Sequence, residues 1–220
     1  ITEQTLSSTD KNGGVLGADN PTFHASVGWD WIPTIRGRNI GIWNDVYLTT
    51  KGNVTIKDPF VRPDLPLPDT TSADISVELT LINHSSEPVS GTLSGSFGDV
   101  SFDQKVSLEA NVSKVVKFSP LTNKDLHIIN PRLWWPKGYG DQKLNDVSLT
   151  FKNENGSVSD AVKFRAGIRE MSYTEDNQIL NIYVNGRRFI GRGGNWGFPE
   201  SNLEYRGREY DAAVAYHADM

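Results

Sequence analysis

The sequence predicts a mainly β protein whose centre, residues 50–168, is an antiparallel β-sandwich. Three observations predict it. From Asn53 onward apolar residues recur at every second position, the period of a strand with one face on a core and one in water. About seven such short runs fit into about 100 residues between turn signals, which is the pattern of an immunoglobulin-like sandwich. After Gly167 the pattern changes to a tight hairpin signal, a glycine-rich run and a helical stripe.

The first 49 residues are rich in Gly, Asn and Trp and hold two predicted strands, 24–31 and 40–49. An isolated pair is marginal in water, so this segment is expected to pack on the sandwich or to end a sheet begun earlier. In the sandwich, Ile75, Val77, Leu79 and Leu81 alternate with Ser76, Glu78 and Thr80. Further strands are predicted over 91–97, 100–108, 114–119, 144–152 and 161–166, with turns at Pro88, Gly98, Asn111 and Asn155-Gly156. Residues 179–184 and 187–190 form a predicted hairpin, because Asn185-Gly186 supplies the two positive φ angles of a type I′ turn. Residues 208–219 read as a helix with Tyr210, Ala213, Val214 and His217 on one stripe. A strand, a loop and a helix in that order open a βαβ unit, and a β/α barrel takes about 250 residues. The last 50 or so residues are therefore expected to begin a larger domain.

The composition narrows the function classes. A net charge of -5 argues against a nucleic-acid partner, since phosphate-backbone binders gather basic excess on one face. No 18-residue apolar window exists, so no helix long enough to span a membrane is predicted, and nothing calls for a membrane partner. The absence of cysteine excludes disulfides, thiolate metal sites and cysteine nucleophiles, and leaves the compartment open. His24, His84, His127 and His217 lack metal-ligand spacing, so neither metal nor cofactor is called for. Asn153-Glu154 matches a short acid/base motif but sits in a polar turn, where it reads as coincidence.

Three aromatic or glycine-rich stretches stand out. In Gly28-Trp29-Asp30-Trp31 a strand places both indoles on one face and the carboxylate on the other. That suits either contact with a sugar, apolar face on indole and hydroxyls on Asp30, or two core tryptophans with a solvated aspartate. Leu133-Trp134-Trp135-Pro136-Lys137-Gly138-Tyr139-Gly140 reads as aromatic cover for a sandwich end or a domain interface. Gly191-Arg192-Gly193-Gly194-Asn195-Trp196 lacks the pattern of a phosphate loop. If it ends a first barrel strand, Asn195, Trp196 and Glu200 lie where barrel enzymes build their sites; otherwise it is an ordinary loop.

The order of these pieces, with Gly41-Ile42-Trp43-Asn44-Asp45-Val46-Tyr47-Leu48, Gly167-Ile168-Arg169-Glu170 and Val184-Asn185-Gly186-Arg187-Arg188-Phe189-Ile190, resembles glycoside hydrolase family 2. The likeness is strongest to its β-mannosidase and exo-β-glucosaminidase branch, where a Gly-Trp-Asp-Trp segment recurs. The resemblance implies three pieces: residues 1–49 as the last strands of a sugar-binding jelly roll, 50–168 as the sandwich, and 169–220 as the truncated start of a TIM barrel. It implies a retaining exo-β-glycosidase without a cofactor, whose two catalytic glutamates lie beyond Met220. It also implies a terminal β-linked sugar as substrate, contacted by Asp30, Trp31, Asn195, Trp196 and Glu200, with the missing jelly-roll and barrel domains as partners. Where the branch often has Ile-Pro-Ala-Asp after the tryptophan, this chain has Gly197-Phe198-Pro199-Glu200, which leaves the sugar open. The alternative is a non-enzymatic carbohydrate-binding or adhesion module with Trp29, Trp31, Trp134 and Trp135 as its platform.

Overall fold

Antiparallel pairing begins with β1 (Val54–Asp64) against β2 (Ser72–Asn83), Val54 facing Asn83. The computed structural model describes residues 42, 45–194 and 207–220. In β2 the alternation is complete: Ala73, Ile75, Val77, Leu79, Leu81 and Asn83 are buried, and the residues between them are not. Each large apolar side chain so buried contributes roughly 1.5–3 kcal/mol. β5 (Ser113–Phe118) and then β6 (His127–Ile129) take successive stretches of the other edge of β2.

The second sheet has the order β4-β3-β7-β8, built from β3 (Val89–Phe97), β4 (Val100–Leu108), β7 (Asn145–Asn153) and β8 (Val158–Ala166). Its inner face carries Leu93, Phe97, Phe102, Val106, Leu108, Val147, Leu149 and Phe151 into the same core as β2. Phe102 and Phe118 meet between the sheets with ring centroids 4.5 Å apart. The Phe102 ring has room because Gly95 stands opposite it: a methyl there would lie 2.4 Å from Phe102 Cε2. The predicted sandwich strands are present, shifted by no more than a few residues, and residues 100–108 match in full.

A bulge locks the two sheets along one edge. Phe151 faces Asp160 and Lys152 faces Val158, so Ser159 is an extra residue, and two consecutive side chains, Ser159 and Asp160, turn inward. Ser159 Oγ accepts the N–H of Val54 at 2.9 Å and donates to its carbonyl at 2.8 Å. Asp160 accepts the N–H of Ile56 and the ammonium of Lys51, both at 2.8 Å on Oδ2, and the N–H of Ala161 on Oδ1. A buried carboxylate is tolerated because its lone pairs meet donors.

Three strands extend the same unit, Leu48–Gly191, beyond the sandwich: β9 (Met171–Asp176), β10 (Ile179–Val184) and β11 (Arg187–Phe189), in the order β11-β10-β9. The Asn-Gly turn is as expected, with φ of 50° at Asn185 and 74° at Gly186. β9 is an addition to the predicted elements. Its turn, Asn177-Gln178, has φ of 52° and 63° but no glycine to signal it.

The other unit comprises Ile1–Tyr47 and Arg192–Met220. It holds α1 (Arg208–Asp219), whose bounds are those expected from the sequence. No residue of α1 is buried, and Ala213, on the predicted stripe, is half-buried. The predicted strand 24–31 lies outside the described residues. The strand expected over 40–49 is corrected: its described residues, 42 and 45–49, are exposed and irregular. A strand pattern becomes a strand only where a neighbour completes its hydrogen bonds, and no ladder partner is found for them among the described residues.

Candidate functional site

None of the five residues expected to touch a sugar can be placed: Asp30, Trp31, Asn195, Trp196 and Glu200 all lie outside the described residues. What the structure does place is the junction from which the chain runs toward Asn195. Four segments meet there: the end of β1 with its following loop, the Trp134 turn, residues 168–170, and the β10–β11 hairpin.

Asn185 is the centre of this junction. Glycine-like φ at the first turn position favours Asn, whose short polar side chain tolerates the left-handed region. The side chain then does more than permit the turn. Its Nδ2 donates to the Trp134 carbonyl at 3.0 Å, its Oδ1 accepts the Glu170 N–H at 2.9 Å, and its own N–H donates to the Glu170 carbonyl at 2.8 Å. It is 4% exposed, so these bonds form away from water. Gly186 follows because a methyl at this positive φ would be strained and would also press within 3.3 Å of Leu67.

Glu170 extends the network to β1. Its Oε2 accepts the N–H of Leu65 at 2.8 Å, and Leu65 is itself buried. The loop that follows is held from within: Leu67 N–H donates to Leu65 O, and Thr71 N–H donates to Asp69 Oδ1 at 2.8 Å. The hydrogen bonds from the Thr71 backbone and hydroxyl hold the Asp69 carboxyl below the usual aspartate range.

The aromatic turn supplies the opposite wall. Trp134 N–H donates to Ile168 O at 2.8 Å, and the base of its side chain packs so close to Gly167 that a methyl there would lie 2.8 Å from its Cβ. The Arg169 guanidinium covers its ring at 4.6 Å. Trp135 folds onto Gly140 of its own turn, where a methyl would lie 2.7 Å from Cδ1. Tyr139 reaches across: its hydroxyl accepts the N–H of Ile190 at 3.0 Å, its ring meets Phe189 at 5.4 Å, and Arg187 lies over it at 5.2 Å. These contacts tie the turn to residues 168–170 and to the hairpin, while Trp134 and Trp135 themselves stay half-buried.

Glu170 and the side-chain role of Asn185 were not legible as site features. The turn signal was visible, but its hydrogen-bond partners lie 15 and 51 residues away. A shallow open depression on the second sheet, lined by Ser94, Ser96, Ser101, Asp103, Ser148 and Thr150, offers hydroxyls but no aromatic face, because its Phe102 is turned into the core. Among the described residues no group of three or more His, Asp or Glu gathers as a metal site. No described helix is long and apolar enough to cross a membrane.

Comparison with known proteins fits this arrangement. The chain is 33% identical over 204 residues to an exo-β-D-glucosaminidase of Streptomyces avermitilis, covering 92% of this chain and 22% of that protein. It is 30% identical to a mannosylglycoprotein endo-β-mannosidase of Lilium longiflorum, covering 93% of this chain and 22% of the relative. The crystal structure of the exo-chitosanase CsxA of Amycolatopsis orientalis superimposes with a TM-score of 0.63 at 29% identity, over 76% of this chain and 19% of that one. The chain thus spans about a fifth of the length of the relatives it matches. Residues 54–169, over half of the chain and running from β1 to the start of the junction, match the model of glycosyl hydrolases family 2, and the chain belongs to that family.

Proposed function

We propose that this chain is a non-catalytic portion of a retaining exo-β-glycosidase that removes a terminal β-linked sugar. Residues 50–168 act as its spacer, residues 1–49 end a sugar-binding jelly roll, and residues 169–220 begin a β/α barrel. The observation that carries this reading is the three-bonded Asn185, which ties the hairpin leading toward Asn195 to the sandwich through Trp134 and Glu170. A retaining mechanism needs two carboxyl groups about 5–5.5 Å apart, one as nucleophile and one as acid/base, held against the sugar with sub-ångström tolerance. A spacer serves that requirement by being rigid where pocket-bearing segments leave it. In this reading Asp30 and Trp31 contact the sugar from one side and Asn195, Trp196 and Glu200 from the other, while both catalytic glutamates stand outside the chain. The exo-acting relatives support the terminal sugar, and the family assignment supports O-glycosyl hydrolysis.

The test is turnover of aryl β-glucosaminide, β-mannoside and β-galactoside. The 220-residue chain is expected to release no aglycone, whereas the full product of its gene hydrolyses at least one substrate and loses kcat/KM on Asn195→Ala. Turnover by the 220-residue chain that persists through repurification overturns the non-catalytic reading. A full gene product inert on every glycoside overturns the enzymatic one.

A further inference from the structure

Asn-Gly occurs at 155–156 and at 185–186 among the described residues, and the fold treats the two asparagine side chains oppositely. In such a pair the glycine nitrogen can close a five-membered ring on the asparagine Cγ, and glycine has no Cβ to hinder the approach. Asn185 is closed to that chemistry. Its Nδ2 donates to the Trp134 carbonyl and its Oδ1 accepts the Glu170 N–H, so ring closure would break both bonds. The residue is 4% exposed, which leaves little room for water or for departing ammonia.

Asn155 is open to it. The residue is exposed in the β7–β8 turn, and among the described residues its Nδ2 makes no hydrogen bond. Its Oδ1 accepts the Ser157 N–H at 3.0 Å and the Ser157 hydroxyl at 2.6 Å. Negative charge that develops on this oxygen when Cγ is attacked meets two donors already aimed at it. Space around Gly156 is free, since a methyl added there would meet nothing within 4 Å. One bond opposes the attack, from the Gly156 N–H to the Asn153 carbonyl at 2.9 Å, and it lies in an exposed turn where water can replace it.

We propose that Asn155 is a site of spontaneous covalent modification, deamidation through a succinimide, and that Asn185 is spared. The Gly156 nitrogen loses its proton and bonds to Asn155 Cγ, the Cγ–Nδ2 bond breaks, and Nδ2 takes up a proton and leaves as ammonia. One water then opens the imide at either of its carbonyls, giving aspartate or isoaspartate. The sum converts an amide and water into an acid and ammonia, with no change of oxidation state. Both products add a negative charge to the turn. Isoaspartate also adds a methylene to the main chain, inside the loop that the Asn153 N–H closes on the Ser157 carbonyl at 2.9 Å. That loop runs directly into the bulge at Ser159 and Asp160. The inference stands apart from the glycosidase reading, since it needs only the turn and water.

Timed incubation tests it. The full chain is held at mildly alkaline pH, one sample folded and one unfolded in urea, and each is digested beside an unincubated control. Tandem mass spectrometry reads loss of the amide at Asn155 and at Asn185, and enzymatic methylation of isoaspartate reads the rearranged product. In the folded chain, conversion at Asn155 is expected to run about tenfold or more ahead of Asn185, which must first give up two buried hydrogen bonds. In urea the two rates are expected to converge, because each asparagine precedes a glycine and neither is held. Equal conversion at the two sites in the folded chain, or faster conversion at Asn185, overturns the proposal. A folded chain that keeps Asn155 intact while the unfolded one converts at both sites also overturns it, by showing that the turn protects its asparagine.

Discussion

The Nδ2 amide of Asn185 donates to the backbone carbonyl of Trp134 at 3.0 Å, joining the hairpin tip to an aromatic turn 51 residues earlier in the chain. Its Oδ1 is equally committed, to the N–H of Glu170. Asn185→Ala removes both partners and also places a β-carbon residue without local compensation at φ 50°. The expected loss is about 2–4 kcal/mol, the sum of unsatisfied buried groups and backbone strain. Asn185→Gly keeps the turn and loses only the side-chain bonds, so its cost is smaller by about 1 kcal/mol. Urea unfolding midpoints measure both, and two wild-type midpoints would remove Asn185 from the centre of the junction.

Asp160 and Lys51 form an unequal pair. The aspartate side chain is 4% exposed and the lysine side chain 40%, and the carboxylate also accepts two backbone N–H groups. Asp160→Ala leaves the N–H of Ile56 and the N–H of Ala161 without their acceptor at the sheet edge, a loss of about 2–4 kcal/mol. Lys51→Met removes one partly solvated cation and costs about 1 kcal/mol or less. Guanidinium denaturation of the two variants checks the order. A larger loss in Lys51→Met would mean that charge pairing, and not amide capture, holds β1 to β8.

Gln178 occupies a position at φ 63° that glycine takes without strain. Left-handed backbone costs a side-chain-bearing residue roughly 1–2 kcal/mol. Gln178→Gly, which makes the loop Asn-Gly like the one at 185–186, is expected to slow hydrogen exchange across the β9–β10 ladder by about 1 kcal/mol of opening free energy. Sandwich amides such as Leu79 and Leu149 keep their rates. Faster exchange in β9 would show that the glutamine side chain itself stabilises the turn.

Asp69 gives the loop between β1 and β2 a pH signature. Its folded carboxyl titrates below the ordinary value of about 4, because Thr71 bonds to the charged form. A depressed folded pKa means that the contribution is present in full above the unfolded value and fades as pH falls through the lower folded one. The Thr71 amide resonance followed by NMR is expected to shift at that lower pH, and the step is expected to vanish in Asp69→Asn. A midpoint at or above the ordinary aspartate value would contradict the Thr71 bonding.

Much of this architecture was readable from local pattern. The alternation of Ile75, Val77, Leu79 and Leu81 marks β2, Asn185-Gly186 marks its hairpin, and the helical stripe marks α1. β9 was not read as a strand, because Met171 and Tyr173 give only two beats of alternation before Glu175 and Asp176, and no glycine marks its turn. The expected strand over 40–49 failed over its described residues for the converse reason: its composition suits a strand, but pairing is supplied by a neighbour. The residues proposed to touch a sugar were legible only as members of a family order, and Glu170 was legible as part of the Gly167-Ile168-Arg169-Glu170 motif but not as the acceptor of the Leu65 N–H.

Sequence alone therefore determined the period of β2 and the turn at Asn185, which depend on neighbours a few residues apart, and, through the order of motifs along the chain, the family to which they point. Tertiary structure alone decided that Ser159 and Asp160 both turn inward and that Asn185 bonds to Trp134 and Glu170. Those hydrogen bonds join side chains to backbone groups 15 to 105 residues away. A hydrogen-bond partner at such separation is chosen by packing, which a local pattern does not encode.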